Sequence, residues 1–326
     1  MGPHIEARLS RRLNVAVLCG GPSAERSISL QSGAAVARAL AELGHGVVEI
    51  DPAVVDLARA NWAHIDVAFI ALHGRFGEDG QVQQILEDAL VPYTGSGVAA
   101  SRLAFSKSAS KERFVQHGVA TAPYVLIHES DTPHRLLQQA AHMGYPLVVK
   151  PDTQGSSLGV SIVREAGDLP AAMARCFHYD AFGLLEQAVI GSEWTVGMVD
   201  ERALPPIQIE TPRAFFDYHA KYDDDGTRYH FDCAVPAQQM GCIVETARNA
   251  CAALGTCGLA RVDLIVDQTG APQVLEVNTV PGMTDHSLVP KAAARAGLSL
   301  AELCRECLQS ALRHAGRRAA TRAGRG

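Results

Sequence analysis

Residues 14–19 (NVAVLC), 47–51 (VVEID) and 67–72 (VAFIAL) read as buried strands. Between the first two, Ala35, Val36, Ala39, Leu40 and Leu43 recur at the spacing of one helix face. Strand, helix and strand in that order make a βαβ unit, and with it a parallel sheet. Ligands of such sheets bind beyond the carboxyl ends of the strands. The loop Gly20 to Glu25 follows the first strand at that edge, and His73-Gly74-Arg75 follows the third. Both loops are therefore expected to meet at one crevice.

A different pattern stands near the other end of the chain, in Val274-Leu275-Glu276-Val277-Asn278-Thr279-Val280-Pro281-Gly282-Met283-Thr284. Its apolar start predicts a strand, and Glu276 and Asn278, two apart, then share a face. Upstream, Ala260 to Val266 is a second strand pattern that carries Arg261 and Asp263 on one face. Oxygen ligands from Asp263, Glu276 and Asn278, without His or Cys, suit a hard cation such as Mg²⁺, which is usually shared with substrate phosphates. Arg261 adds a fixed positive charge.

Between these regions, Gly155-Ser156-Ser157-Leu158-Gly159 sits between strand patterns at Leu147 to Lys150 and Val160 to Val163. No helix follows it, so it is not a Walker A loop. A glycine hairpin whose N–H groups fold over phosphates fits better. The chain divides by pattern into residues 13–101, 102–187 and 188–314, with a disordered basic tail at 315–326. The segment Phe215 to Val235 is polar and irregular, and reads as a lid that excludes water.

Composition narrows the class. A net charge of −6 argues against a general nucleic-acid binder, and 47% hydrophobic residues over 326 positions suffice for two or three domains. No apolar run approaches the ~18 residues of a membrane span, and the first residues lack a signal-peptide core or a myristoylation pattern. The expectation is a cytoplasmic protein with no membrane partner. Cys304 and Cys307 form the chain's CxxC, but Leu300, Leu303, Leu308, Ala311 and Leu312 continue the same helical stripe, so these thiols are expected in a core. The chain has five lysines: Lys107, Lys111, Lys150, Lys221 and Lys291. Lys111 and Lys291 read as solvated surface charges.

The string EVNTVPGMT followed by HSLVP resembles the D-alanine–D-alanine ligase family of the ATP-grasp superfamily. Further islands in the same order are LCGGPSAERSISLQSG (Leu18 to Gly33), ALHGRFGEDGQVQ (Ala71 to Gln83), VPYTGSGVAAS (Val91 to Ser101), VVKPDTQGSSLGVS (Val148 to Ser161), LLEQAVIGSEWTVG (Leu184 to Gly197) and FDYHAKY (Phe216 to Tyr222). The resemblance implies an α/β fold, α+β overall. It would comprise an N-terminal Rossmann-like parallel-sheet domain and two subdomains that clamp ATP, the last bearing the metal site and lid.

It also implies roles. Lys107, Lys150, Lys221, Ser156 and Ser157 would meet ATP phosphates. Glu186, Gln187 and Val189 would meet adenine, and Glu193 the ribose; Gln187 replaces a usual lysine and loses its charge. Asp263, Glu276 and Asn278 would hold Mg²⁺, as two ions, with Mn²⁺ able to substitute. Glu25 would receive the ammonium of the first D-alanine, with His73 close by. Arg261 and the N–H of Gly282 would face the oxyanion, and Ser287 with the Leu288 backbone the carboxylate of the second substrate. Tyr222 would join Ser156 and Glu25 in a hydrogen-bonded triad. For His73 a structural hydrogen bond at a strand end is an equal alternative.

The implied reaction joins two D-alanines at the expense of ATP through an acyl phosphate, for peptidoglycan precursors, in a homodimer. Three alternatives stay open: a relative using D-lactate or another D-amino acid, disfavoured for D-lactate by Tyr222; another ATP-grasp ligase, such as a glutathione synthetase or a biotin-dependent carboxylase; and a non-catalytic nucleotide-binding regulator. The five arginines from Arg313 to Gly326 read as a charged end rather than an RNA site.

Overall fold

The computed structural model describes residues 11–212 and 226–323. Strand β1 (Asn14–Leu18), helix α1 (Arg26–Glu42), β2 (Gly46–Ile50) and β3 (Val67–Ile70) form a parallel sheet in the order β2-β1-β3. This is the crossover that the three apolar runs require. The helix lies unusually close to its sheet, because a Cβ on Gly33 would stand 2.3 Å from the Cβ of Cys19. Only glycine permits that approach. Helices α2 (Gln81–Asp88), α3 (Val98–Phe105) and α4 (Lys107–Gln116) lead out of the first sheet.

The central sheet is antiparallel, in the order β4-β7-β5-β6. It contains β4 (Tyr124–His128), β5 (Leu147–Pro151), β6 (Ser161–Val163) and β7 (Phe182–Gln187), with helices α5 (Pro133–Met143) and α6 (Leu169–Phe177) between strands. Helix α5 starts as its sequence dictates: Pro133 opens the first turn, and Thr132 Oγ1 accepts from the N–H of Arg135. The glycine segment 155–159 joins the antiparallel pair β5 and β6, as expected.

The third sheet runs β11-β10-β8-β12-β13, with β9 paired on β8. Its elements are β8 (Gly191–Val199), β9 (Arg202–Ala203), β10 (Ile207–Glu210), β11 (Arg228–His230), helix α7 (Ala237–Leu254), β12 (Leu259–Asp267) and β13 (Pro272–Asn278). Helices α8 (Leu288–Arg295) and α9 (Leu300–Ala323) complete the chain. No helix among the described residues is long and apolar enough to cross a membrane.

Several sequence expectations change at this level. Helix α9 falls in the third part by sequence order, yet it packs on the first sheet, with Leu303, Cys304, Cys307 and Leu308 in one core with Val36, Leu40 and Val67. It also continues to Ala323, through most of the segment 315–326 expected as a disordered tail. Alanine and arginine favour helix, and extending a helix that is already packed needs no new nucleus. Within the expected lid, residues 228–230 are strand β11, paired with β10. The thiols behave as core groups: burial pushes Cys304 up to about 12 and Cys307 well above its ordinary value. Lys111 is a correction, for it is completely buried rather than solvated. Lys291 is half-buried, with its ammonium 5.6 Å from the centre of the Tyr229 ring.

Candidate active site

The antiparallel register of β12 and β13 sets Arg261 opposite Asn278 and Asp263 opposite Glu276. A β-bulge follows at Asp263/Leu264, where Leu264 pairs with Val274 and skips Leu275. The extra residue resets the alternation of β13. Pro272 and Val274 are buried before the bulge and Val277 after it, while Glu276 and Asn278 turn to the other face. All four polar residues thereby share one surface. Arg261 donates to both oxygens of Asp263, from Nε at 2.9 Å and from a terminal nitrogen at 2.7 Å. Thr195 on β8 donates to the same carboxylate at 2.6 Å. Since Thr195 and Glu193 are two apart on β8, Glu193 shares this face of the sheet.

Lys107 Nζ approaches Glu276 Oε2 at 3.2 Å and donates to the carbonyl of Gln154 at 2.6 Å. Its position follows from a cap that spans two elements. Asp152, just past β5, accepts from Ser106 Oγ at 2.9 Å and from the N–H of Ser108 at 2.7 Å, and its carbonyl accepts from the N–H of Lys107 at 3.0 Å. An acid at the N-terminus of α4 also complements the helix dipole. Asp152 was not predicted; lying three residues from Gly155, it reads in sequence as part of the glycine loop.

In the glycine hairpin, Ser156 and Ser157 both hold left-handed backbone, at φ 51° and 58°. Non-glycine residues rarely adopt it, and backbone strain of this kind clusters at active sites and ligand clamps. Ser156 Oγ donates to Glu25 Oε1, closing the first sheet onto the second. The loop before α1 is itself braced. Asp51, at the end of β2, accepts from Arg26 and from the N–H of Gly21, and the guanidinium holds its carboxyl down to about 2.

His73 is 5% exposed and clasps two parts of the chain. Its Nδ1 lies 3.0 Å from the carbonyl of Val280 and its Nε2 3.1 Å from Ser32 Oγ, which accepts in turn from the N–H of Met283 at 3.2 Å. The Val280 carbonyl can only accept, so Nδ1 is the donor in that bond. His73 thus makes structural hydrogen bonds at the strand end, and its ring also lines the cavity described next. The clasp fixes the turn that carries Gly282. A Cβ on Gly282 would meet Ser287 Oγ at 2.6 Å, and that hydroxyl lies 2.9 Å from Thr284 Oγ1. Ser287 and Leu288 stand at the N-terminus of α8, where unpaired N–H groups favour an anion.

One cavity at the junction of the three sheets is lined by Glu25, His73, Lys107, Ser156, Arg261, Glu276, Asn278, Gly282, Ser287 and Leu288. Three titratable lining residues were not anticipated: Glu78, Tyr229 and His286. Glu78 lies 3.6 Å from His73 Nδ1, and burial pushes its carboxyl upward. It falls within the island Ala71 to Gln83, but its acid is one of two there, Glu78 and Asp79, and nothing in the local pattern selects it.

The expected nucleotide-base residues do not line this cavity. Lys150 and Glu186 are 6% and 2% exposed, paired at 2.7 Å inside the central sheet. Gln187 is exposed and donates its backbone N–H to the carbonyl of Pro123 at 2.9 Å, and Val189 is half-buried after it. Glu193 borders a separate depression between β8, β10 and the segment after β11. Ser157, next to Ser156 in the hairpin, is half-buried. Lys221 and Tyr222, with most of the expected lid, lie outside the described residues.

For a divalent cation the donor set is Asp263, Glu276 and Asn278, all oxygen. Among the described residues no cluster of three His, Cys, Asp or Glu side chains offers a metal site, so a third donor has to come from the Asn278 amide. That oxygen already accepts from the N–H of Val280 at 2.9 Å, and each carboxylate oxygen of Asp263 has a donor. An sp² oxygen has two lone pairs, so room for a cation remains on Asn278 Oδ1 and Asp263 Oδ2, whereas Asp263 Oδ1 already accepts from both Thr195 and Arg261. Glu276 and Asn278 line the cavity and fit best.

A parallel sheet followed by two antiparallel sheets, with a phosphate-type hairpin facing an acidic strand pair, is the ATP-grasp architecture. The profile for the D-ala D-ala ligase N-terminus matches residues 52–96, and that for the C-terminus residues 114–309. The chain is 45% identical over 298 residues to a D-alanine–D-alanine ligase of Syntrophotalea carbinolica, covering 91% of this chain and 95% of that one. It is similar to the crystal structure of a D-alanine–D-alanine ligase from Bacillus anthracis, with a TM-score of 0.83 and 33% identity over 94% of this chain and 99% of that one. The Bacillus anthracis ligase complexed with ATP gives a TM-score of 0.81 at 30% identity, with the same coverage. The chain belongs to the D-alanine–D-alanine ligase family.

Proposed function

We propose that the protein joins two D-alanines to D-alanyl-D-alanine with ATP, supplying peptidoglycan precursors in the cytoplasm. The observation that carries this reading is a cavity that collects Glu25 from the loop after β1, Ser156 from the hairpin of the central sheet, and Arg261 and Glu276 from the third sheet, together with Lys107, Gly282 and Ser287. A carboxylate is a poor electrophile, so the first D-alanine must be activated. Its carboxylate oxygen attacks the γ-phosphorus of ATP, ADP leaves, and an acyl phosphate forms. The amine of the second D-alanine then attacks the carbonyl carbon, and the tetrahedral intermediate expels phosphate.

In this reading Glu25 receives the ammonium of the first substrate, held in place by Ser156. Arg261, braced by Asp263, and the N–H of Gly282 face the oxyanion. Ser287 and the N-terminus of α8 take the carboxylate of the second substrate. Lys107, Lys150, Lys221, Ser156 and Ser157 serve the phosphates, Glu186, Gln187 and Val189 the base, and Glu193 the ribose. Mg²⁺ on Asp263, Glu276 and Asn278, or Mn²⁺ in its place, would offset phosphate charge when bound. Tyr222 completes a triad with Ser156 and Glu25, His73 shapes the first-substrate site, and the working form is a homodimer. Residues 13–101, 102–187 and 188–314 are the three parts that frame the site, the last helix returning to the first of them.

The test is purified protein with ATP, Mg²⁺ and a panel of D-amino and D-hydroxy acids, followed by phosphate release and product mass. D-alanyl-D-alanine as the dominant product at neutral pH is expected. Phosphate release without a dipeptide, or preference for another second substrate, would overturn the assignment. Light scattering of the same sample tests the dimer.

A further inference from the structure

Lys111 has no role in the reaction as described, yet it is 0% exposed on α4. Its Nζ donates to Thr121 Oγ1 at 2.6 Å and to the carbonyl of Ala122 at 3.2 Å. It stands 3.0 Å from Glu186 Oε2 and 5.5 Å from the centre of the Tyr124 ring. Lys150 Nζ reaches the same Glu186 oxygen at 2.7 Å. Two ammonium groups thus converge on one carboxylate where water is excluded. Burying a charge is tolerated only where partners replace its hydration, and Lys111 has three oxygens at hand. Burial brings its titration down to about 8, while Glu186 pulls the other way.

The two lysines differ in what else they serve. Lys150 lies near the end of β5, which runs into the glycine hairpin, and in the function proposed above it turns toward phosphate. Lys111 has no such second task and is locked by its own acceptors. Thr121 also donates to the carbonyl of Val274 at 2.7 Å, and the carbonyl of Ala120 accepts from the N–H of Val274 at 2.9 Å. Lys111 is therefore anchored to β13, two residues before Glu276. When Lys150 engages phosphate, Lys111 is the cation that still holds Glu186.

We propose that Lys111 is a positioning residue that fixes the Glu186 carboxylate, through an anchor on β13, so that the site selects an amino-purine over an oxo-purine nucleotide. The inference rests on the reading that Glu186 meets the base. A carboxylate only accepts hydrogen bonds: it pairs with the exocyclic amine of adenine and opposes the 6-oxo group of hypoxanthine. A Glu186 free to turn away gives up both the attraction and the opposition. Discrimination then falls from both sides.

Calorimetric titration of the full-length protein with ATP and with ITP, in Mg²⁺ at pH 7, tests this for the native chain, Lys111→Met and Thr121→Val. Circular dichroism checks the fold of each. Loss of a hydrogen bond to a charged group corresponds to roughly 10- to 150-fold in affinity. Lys111→Met is expected to lose at least about tenfold in ATP affinity with less than about threefold change for ITP, and Thr121→Val to shift the ratio the same way by a smaller factor. A folded Lys111→Met protein with the native ATP-to-ITP ratio would overturn the proposal. If that variant does not fold, an unchanged ratio in Thr121→Val overturns it instead. A native chain that makes dipeptide but binds both nucleotides equally also refutes the role of Lys111 while leaving the function intact. A native chain that binds neither refutes the function itself.

Discussion

Asparagine in place of Asp263 removes a charge from the active-site sheet while keeping its shape. Asp263 accepts two bonds from Arg261, at 2.9 and 2.7 Å, and one from Thr195 at 2.6 Å. The side chains of the pair are 13% and 11% exposed, so solvent screens them little. An amide keeps one acceptor and sets an NH₂ where the other oxygen was, so one charge-assisted bond to Arg261 is lost. Such a bond contributes about 1.5–3 kcal/mol. If Asp263 works mainly by aiming Arg261, that loss appears in turnover as roughly 10- to 150-fold. Removing the guanidinium itself, in Arg261→Met, is expected to cost on the order of 10² to 10³. The double variant should then be little worse than Arg261→Met, giving a coupling of about 1.5–3 kcal/mol in a cycle built from kcat/KM. Phosphate release under saturating Mg²⁺ supplies the rates, and urea unfolding of all four proteins confirms that each is folded. Additivity within about 0.5 kcal/mol would refute the reasoning and make Asp263 an independent contributor.

Glu276→Ala should abolish ligation while leaving the fold intact, because its side chain is 29% exposed at a strand end and carries little packing; near-normal turnover in saturating Mg²⁺ would mark it as structural. Ser157 at φ 58° predicts that Ser157→Gly is nearly neutral, whereas Ser157→Val strains the hairpin by about 1–3 kcal/mol and raises the KM for ATP; equal behaviour of the two would show that backbone conformation is unimportant there. The Asp51 carboxyl is held down to about 2 from 3.8 by Arg26, so its contribution is complete above pH 4 and is lost as pH falls toward 2. Because Arg26 is 41% exposed, solvent screening reduces this to about 1 kcal/mol. Urea unfolding from pH 5 to pH 3 should show a smaller acid-induced loss in Asp51→Asn than in the native chain, and parallel curves would contradict this.

The sequence by itself determined the elements whose signal is a local period. Apolar runs around one helical stripe required β1, α1, β2 and the parallel sheet, and alternation put Glu276 with Asn278 on one face of β13. The glycine hairpin between β5 and β6 was equally legible, because turn chemistry acts over a few residues. Tertiary structure decided everything that depends on distant partners. The bond from Ser156 to Glu25 spans 131 residues and the clasp from His73 to Val280 spans 207, separations at which no periodicity survives. Lys111 looked like a surface charge because a helix face is read as solvated until something covers it, and here the central sheet does so with Glu186. Helix α9 likewise joined the first sheet because its apolar stripe fits against α1, a choice of partner that a stripe alone does not specify. Asp263 read as a metal ligand, but only the pairing of β12 with β8 and β13 revealed that its oxygens also hold Arg261 and Thr195. Side-chain type and spacing say what a residue can bind, whereas packing decides which of those partners arrives first and whether water remains to compete.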